Sequence, residues 1–198
     1  MKKLKSSFVN MVVVLGLITA ITSLLLAMVY NFTLQPIQDA EQAKLNEAIE
    51  NVIDDMDTFK ESKIPAAANE DNIDSLTCYI GFNKAGEKVG TAVVASDNNG
   101  FAGPITIIVG FDTNGVIYNN VPLSQSETPG LGAKMASEES GFTPQFNGKD
   151  LSDKNYVLKV KKDGGSVDAI TAATISSRAY CRAVDLAYKS YVLSKGGK

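Results

Sequence analysis

Histidine is absent from the 198-residue chain, and cysteine occurs only twice, at Cys78 and Cys181. Without histidine, a Ser-His-Asp triad and any histidine-ligated metal or haem are excluded. Two cysteines so far apart form no CxxC redox motif, and they are too few for a four-cysteine zinc or iron–sulfur site. They could pair with each other; because free cysteine is among the most buried residue types, we expect two small buried side chains instead.

Positive charge is sparse beyond the N-terminus. The chain carries 19 basic and 22 acidic residues, a formal net charge of −3. Lys2, Lys3 and Lys5 precede Asp39, the first acidic residue, so the remainder has a net charge of −6. Nucleic-acid binding requires clustered Lys and Arg that neutralise phosphates, and this composition argues against it. With 44% hydrophobic and 21% charged residues, the chain has enough material for one folded domain and an appendage.

An uncharged run extends from Phe8 to Tyr30. As a helix it would span roughly 30 Å, the thickness of a hydrocarbon core. A cleaved signal peptide is the alternative, but its apolar region is shorter and ends in an A-x-A pattern that residues 28–32 lack. We therefore predict a retained transmembrane helix over residues 8–30. The lysines of residues 1–7 predict a cytoplasmic N-terminus and a periplasmic or external C-terminal domain.

Residues 31–60 are predicted to form a helical connector, with the helix itself running from Pro36 to about Lys60. Apolar residues recur there at spacings of three and four, which is the pattern of one apolar helix face. The members of this stripe are Leu45, Ile49, Val52, Ile53 and Met56. Residues 61–75 are polar and contain a proline, so a loop is predicted at the start of the domain, which we assign to residues 61–198.

Short β-branched runs between turn signals predict an antiparallel sheet of four to six strands, and hence an α+β domain. The predicted strands cover residues 78–82, 88–95, 104–112 and 116–121, with a shorter one at 156–161. Asn114-Gly115 is the hairpin signal between two of them. Residues 122–155 are irregular, and a stretch of this length inside a compact domain is often functional. A last helix with a continuous apolar face is predicted from Ser176 to Ser194.

The first of two candidate binding segments reads ETPGLG, from Glu127 to Gly132. Pro129-Gly130 fits the central positions of a type II turn, with the glycine at positive φ. Glycines on both sides of Leu131 leave backbone exposed, so a flat ligand could approach closely. The alternative is an ordinary surface turn.

The second segment reads DAITAATISS, from Asp168 to Ser177. Its hydroxyls at Thr171, Thr174 and Ser176 could simply cap the last helix. A helix N-terminus also offers free N–H groups and partial positive charge, which bind phosphate. A threonine hydroxyl at this point could therefore be esterified to a phosphate that the helix end holds, and the small neighbouring alanines would leave room for it.

The DAITAAT stretch resembles the flavinylation motif of the FMN-binding domain family: Asp, two variable residues, Ser or Thr, then usually Gly-Ala-Thr. In that family the last Thr carries FMN through a phosphodiester bond, which a separate flavin transferase adds. ETPGLG resembles the family's other signature. The two motifs follow a predicted membrane anchor, with ETPGLG before DAITAAT. This combination resembles the G subunits of Rnf complexes, which are the ion-translocating ferredoxin:NAD oxidoreductases of bacterial membranes.

The resemblance implies an electron carrier and not a catalyst that acts alone, so no general acid, general base or metal ligand is predicted. FMN would be attached to Thr174, and electron flow would be coupled to Na⁺ or H⁺ movement. Partners would be the other membrane subunits, the flavin transferase and, through residues 8–30, the bilayer of the bacterial inner membrane. The remaining residues expected around the flavin are Thr171 and Ala173 at its phosphate end, Glu127, Thr128, Gly130 and Leu131 along its ring, and Lys134 as a compensating charge.

Ala172 departs from the family pattern, which usually has Gly at this position. Alanine loses easy access to positive φ, but it is the smallest such change, and we expect flavinylation to survive. Three alternatives stay open. They are the C subunit of the Na⁺-translocating NADH:quinone reductase, which tends to be longer, a free-standing flavinylated carrier, and an anchored interaction domain without a cofactor.

Overall fold

The computed structural model describes residues 7–69, 71 and 73–196. It divides into one unit that ends at Lys44 and a second unit that begins at Leu45. The predicted cytoplasmic tail lies outside the described residues except for Ser7. The elements are helix α1 (Phe8–Val52), strands β1 (Thr58–Pro65), β2 (Ser75–Phe82), β3 (Lys88–Asp97), β4 (Ile105–Asp112) and β5 (Ile117–Ser124), and helix α2 (Thr174–Ser194).

The first unit is the N-terminal part of α1. Every residue from Phe8 to Phe32 is exposed, and the helix is long and apolar enough to cross a membrane. Thr19 and Thr22 donate their hydroxyls to the carbonyls one turn back, so they add no unpaired polar group. Pro36 lies inside the helix and does not begin a new one, which corrects its predicted place in a first turn.

The predicted helix end near Lys60 is wrong, because α1 ends at Val52. Asp55 adopts φ 51°, a left-handed conformation that a helix does not continue through. Thr58–Pro65, predicted as helix end and loop, instead pairs antiparallel with β2, from Thr58 opposite Phe82 to Pro65 opposite Ser75. As the edge strand it is exposed along most of its length, which removes the alternating hydrophobic pattern that would have identified it.

The five strands form one antiparallel sheet, as predicted, and their order is the meander β1-β2-β3-β4-β5. The predicted Asn-Gly hairpin joins β4 to β5. There the Asp112 carboxylate accepts hydrogen bonds from the backbone N–H groups of Asn114 at 2.8 Å and Val116 at 2.9 Å, and Gly115 has φ 94°. Side-chain oxygens that bond to nearby backbone are the usual means of fixing such turns.

Helices cover both faces of the sheet within the second unit. On one face, Phe111 of β4 stacks against Tyr191 of α2 with ring centroids 4.6 Å apart. On the other face, the last turns of α1 bury Ile49 and Val52 against β-strand residues that include Ala92 and Ile108.

The end of α1 packs against three glycines on adjacent strands, Gly81, Gly90 and Gly110. We call these three residues the glycine notch. A Cβ at Gly110 would overlap the Val52 carbonyl, and one at Gly90 would lie 2.9 Å from Ile53 Cγ2. The notch lets the backbone of α1 approach the sheet more closely than side chains would permit.

Between β5 and α2 the chain is mostly irregular, as predicted, with short 3₁₀ helices at Gly132–Ala136, Glu138–Ser140, Thr143–Phe146 and Lys161–Asp163. The predicted strand over residues 156–161 is wrong. Val160 makes only an isolated parallel bridge with Val167, and a 3₁₀ helix begins at the next residue. Cys78 and Cys181 are both unpaired and buried, as expected. Burial raises the pKa of both thiols, that of Cys181 to about 12.

Candidate functional site

The predicted turn in the ETPGLG segment is present. Leu131 N–H donates to the Thr128 carbonyl at 3.1 Å, which closes a four-residue turn around Pro129 and Gly130. Gly130 has φ 75°, as the third position of a type II turn requires. The chain then enters the 3₁₀ helix at Gly132. The turn presents its backbone and the Leu131 side chain outward.

The start of α2 leaves its hydrogen-bonding groups open. Ala173 is the N-cap and makes no side-chain cap bond, and Thr174 is the first helical residue. The hydroxyls of Thr171, Thr174 and Ser176 therefore do not serve as the N-cap, which corrects the capping prediction. Because the first intrahelical bond runs from Ser177 N–H to Ala173 O, the N–H groups of residues 174–176 have no intrahelical acceptor.

The serine hydroxyls that follow are engaged elsewhere. Ser177 Oγ donates to Ala173 O at 2.9 Å and accepts from Ile170 N–H at 3.0 Å, so it fixes the loop before the helix. Ser176 Oγ donates to Glu127 Oε2 at 2.6 Å. Among the described residues, the Thr174 hydroxyl has no hydrogen-bond partner. It is the one hydroxyl of the segment Thr174–Ser177 that is left available for a new bond.

Glu127 joins three segments around this point. Its carboxylate is buried, with 5% of the residue exposed, and accepts from Ser176 on one oxygen and from Ala102 N–H at 3.1 Å on the other. A Cβ on Gly132 would lie 2.6 Å from Glu127 Oε2, so only glycine fits beside the carboxylate there. Glu127 thus holds the ETPGLG turn, the loop before β4 and the N-terminus of α2 together.

A cleft of about 290 Å³ opens where these segments meet. The predicted residues Glu127, Thr128, Leu131, Ala173 and Thr174 all line it. The cleft has five further lining residues, of which only Phe101 lies outside the two predicted segments. Those inside the segments, none of them predicted individually to contact the flavin, are Gly132, Ala172, Ile175 and Ser176.

Three apolar side chains at the cleft are exposed: Phe101 by 67%, Leu131 by 41% and Ile175 by 47%. Apolar surface of this kind beside free N–H groups suits a ligand with an anionic end and a flat apolar body. The sequence contained a signal for Phe101. This aromatic residue lies between two glycines in the stretch NNGFAG, which is typical of a loop, so its side chain is not expected in the core of a strand or helix.

The other predicted site residues lie next to the cleft. Lys134 and Thr171 line an adjoining depression of about 370 Å³, and Gly130 is exposed at the tip of its turn. Asp168, the first residue of the motif, is anchored through its backbone, since its N–H donates to Gln145 Oε1 at 2.7 Å. Its carboxylate pairs with Lys161 Nζ at 2.8 Å on the surface.

Ala172 occupies a left-handed conformation, with φ 61°. The described chain has only one other non-glycine residue at positive φ, Asp55. For an L-residue this conformation costs about 1–2 kcal/mol relative to the right-handed region. The position therefore has the geometry for which glycine is suited, and the alanine is accommodated under strain immediately before the helix.

One turn further along α2, Arg178 forms two hydrogen bonds of 2.7 Å with the Asp163 carboxylate. This contact lowers the pKa of Asp163 and raises that of Arg178. The pair fastens the surface loop after Val160 to the helix at the residue one turn beyond Thr174.

Comparisons with known proteins identify the family of the chain. Residues 100–189 match the FMN-binding domain family. The chain is 33% identical over 190 residues to the G subunit of an ion-translocating oxidoreductase complex from Shewanella piezotolerans, covering 93% of this chain and 89% of that protein. The corresponding protein from Shewanella baltica is 35% identical over 178 residues, covering 86% and 82%.

Among solved structures, the crystal structure of Shewanella oneidensis NqrC superposes with a TM-score of 0.53 at 17% identity, over 66% of this chain and 78% of that one. This likeness concerns the fold alone. The family match and the fold together define a chain with an apolar N-terminal helix and an FMN-binding domain. The chain belongs to the family of G subunits of ion-translocating oxidoreductase complexes.

Proposed function

We propose that this chain is a membrane-anchored electron carrier of an ion-translocating oxidoreductase complex, with FMN joined to Thr174 by a phosphodiester bond. The observation that carries the proposal is the unpartnered hydroxyl of Thr174 at the start of α2. Its hydroxyl lacks a partner among the described residues and lies at the first position of a helix whose opening N–H groups are free. Those groups and the helix dipole favour a phosphate at this point.

The residues present fit FMN. The N–H groups of residues 174–176 would hold the phosphate, with Ala173 and Thr171 beside it. The isoalloxazine ring would lie along the exposed apolar side chains and the ETPGLG turn, near Thr128, Gly130 and Leu131. Glu127 would act as a positioning residue, because it holds the turn and the helix start in register. Lys134, in the adjoining depression, would offset negative charge at longer range.

FMN, when bound, supplies one- and two-electron transfer. The chain's own contribution is to bind and orient the cofactor, since the cleft contains no His or Cys and only one carboxylate, which is occupied by Ser176 and Ala102. A covalent bond would retain the flavin outside the cytoplasm. The attachment would be made by a separate flavin transferase.

We further propose that residues 8–30 cross the inner membrane with the N-terminus in the cytoplasm. Three lysines before the apolar run support this orientation through the positive-inside rule. The domain would then face the periplasm or the exterior, with the other membrane subunits as partners and with Na⁺ or H⁺ as the coupling ion.

The test is a matched set of threonine variants in the full chain, co-expressed with a flavin transferase. Thr174→Val removes the hydroxyl at constant volume, Thr174→Ser keeps one, and Thr171→Val makes the same change three residues away. Flavin fluorescence that survives denaturing electrophoresis reports the covalent bond. We expect it to vanish in Thr174→Val and to remain in the other two. Persistence in Thr174→Val would refute the attachment site, and a colourless wild-type chain would favour a cofactor-free interaction domain.

A further inference from the structure

Charge is distributed unevenly along the chain. Residues 39–153 carry seven basic and 19 acidic side chains, a net charge of −12, whereas residues 154–198 carry nine basic and three acidic ones, a net charge of +6. The basic segment contains α2 and the loop that precedes the flavin motif. A domain that is acidic as a whole therefore has one basic part, and that part includes Thr174.

A groove of about 670 Å³ runs through this basic part, between α2 and residues 151–163. Its apolar walls include Leu151, Tyr156 and Leu158 from the loop and Tyr188 from the helix. The Tyr156 hydroxyl is buried without a hydrogen-bond partner among the described residues. The groove therefore offers a largely apolar surface to a ligand.

The charged groups around the groove differ in how they are engaged. Three cations are already paired with carboxylates: Arg178 with Asp163, Arg182 with Asp97, and Lys189 with Asp185. Lys159 lines the groove, Lys162 lies close to it in sequence, and both are exposed. Neither lysine forms an ion pair with a described residue. Asp150 and Asp153 flank Leu151 in sequence, so the excess of positive charge lies at Lys159 and Lys162.

The groove begins close to the proposed flavin site. Arg178, which lines it, follows Thr174 by four residues on α2, and residues with that spacing are neighbours on one helix face. A molecule seated in the groove would lie about one helical turn, roughly 5–6 Å, from the attachment residue at its nearest end.

We propose that this groove, with Lys159 in its lining and Lys162 close by in sequence, is a docking surface for an acidic protein segment. Another subunit of the complex contributes the segment, which places an apolar side chain between Leu158 and Tyr188. The proposal rests on the proposed function for the identity of the partner. Charge complementarity selects an acidic partner and would steer its approach. The apolar walls of the groove favour a protein segment, which can insert a side chain between them, over the surface of lipid headgroups.

Site-specific photo-crosslinking in the assembled complex tests this. Benzoyl-phenylalanine replaces Val157, an exposed residue of the groove, in the full chain co-expressed with the other subunits, and crosslinked peptides are mapped by mass spectrometry. We expect a crosslink to an acidic stretch of one other subunit. Its yield should fall about tenfold in Lys159→Glu/Lys162→Glu and should fall with added salt. The matched control, Lys63→Glu/Lys84→Glu, reverses two exposed lysines of the acidic segment and should leave the yield unchanged.

Several results would overturn the docking surface: crosslinks to lipid only, crosslinks to a second copy of this chain only, no crosslink, or a yield that the groove variant does not lower. Covalent flavin is measured in the same preparations and separates the two proposals. Flavin on the chain without the expected crosslink would refute the docking surface alone. The crosslink without flavin would refute the proposed cofactor attachment and leave the docking surface in place.

Discussion

The two faces of the sheet are covered by helices that are held in different ways. The end of α1 lies in the glycine notch, where backbone packs against backbone, and one side-chain hydrogen bond, from Asn119 Nδ2 to the Asn51 carbonyl at 3.0 Å, is added to this packing. Helix α2 is held by stacked aromatic rings and by polar contacts such as Tyr180 with Asn120, and its N-terminus stays open at the cleft. The α1 face of the sheet is held mainly by close packing of the helix end in the notch. The α2 face combines packing with backbone N–H groups at the helix N-terminus that remain available to a ligand.

Gly110→Ala should be the most damaging single change, because the new methyl group would overlap the Val52 carbonyl, which is backbone and cannot rotate away. We expect a loss of about 3 kcal/mol in the free energy of unfolding, at the upper end for overpacking. Urea unfolding of the full chain in detergent, followed by near-ultraviolet circular dichroism, measures it.

Gly90→Ala is the matched control for the notch. Its methyl group would lie 2.9 Å from Ile53 Cγ2, a side-chain atom that can shift, and 3.0 Å from the Phe111 carbonyl oxygen, which is a close contact but not the overlap with backbone that Gly110→Ala creates. The loss should be about 1 kcal/mol. Equal losses at Gly90 and Gly110 would show that the close backbone approach is not what distinguishes this face.

Tyr180→Phe should weaken the α2 face by a smaller amount. The Tyr180 hydroxyl donates to Asn120 Oδ1 at 2.6 Å, and both residues are buried. Losing the donor leaves that oxygen unsatisfied, which costs about 1–2 kcal/mol. The same urea titration measures the effect. A variant as stable as the wild type would mean that this bond adds nothing to the packing of α2.

Ala172→Gly should be slightly stabilising. Glycine relieves the left-handed conformation at φ 61°, while its extra freedom in the unfolded chain offsets part of the gain. The expected net effect is about 0.5–1 kcal/mol in favour of the folded state. Ala173→Gly, at φ −131° and buried, gains no such relief and should be destabilising. A loss of stability in Ala172→Gly would contradict the strain assigned to this residue.

The sequence was sufficient to predict secondary structure where the hydrophobic pattern is strong. The strands with buried β-branched residues, the Asn-Gly hairpin, the apolar run and helix α2 could all be predicted. Strand β1 could not, because an exposed edge strand shows no alternation, and the short run after Tyr156 has strand-like composition but takes part in only one bridge.

For the candidate site, the two motifs predicted five residues that line one cleft. Phe101 and the Ser176–Glu127 contact were missed because they depend on how distant segments meet. The strain at Ala172 was foreseen only as a departure from a family pattern. Lys134 was predicted near the flavin as a compensating charge. It belongs to the 3₁₀ helix that begins at Gly132, and it lines the adjoining depression and not the cleft.

The most direct measurement is a peptide map of the wild-type full chain purified after co-expression with a flavin transferase. Tandem mass spectrometry of the peptide that contains residues 168–178 should show a mass increase of one FMN less water, with the fragment ions placing it on Thr174. An unmodified peptide, or a flavin located on Thr171 or on another peptide, would contradict the assignment of the α2 N-terminus as the site of attachment.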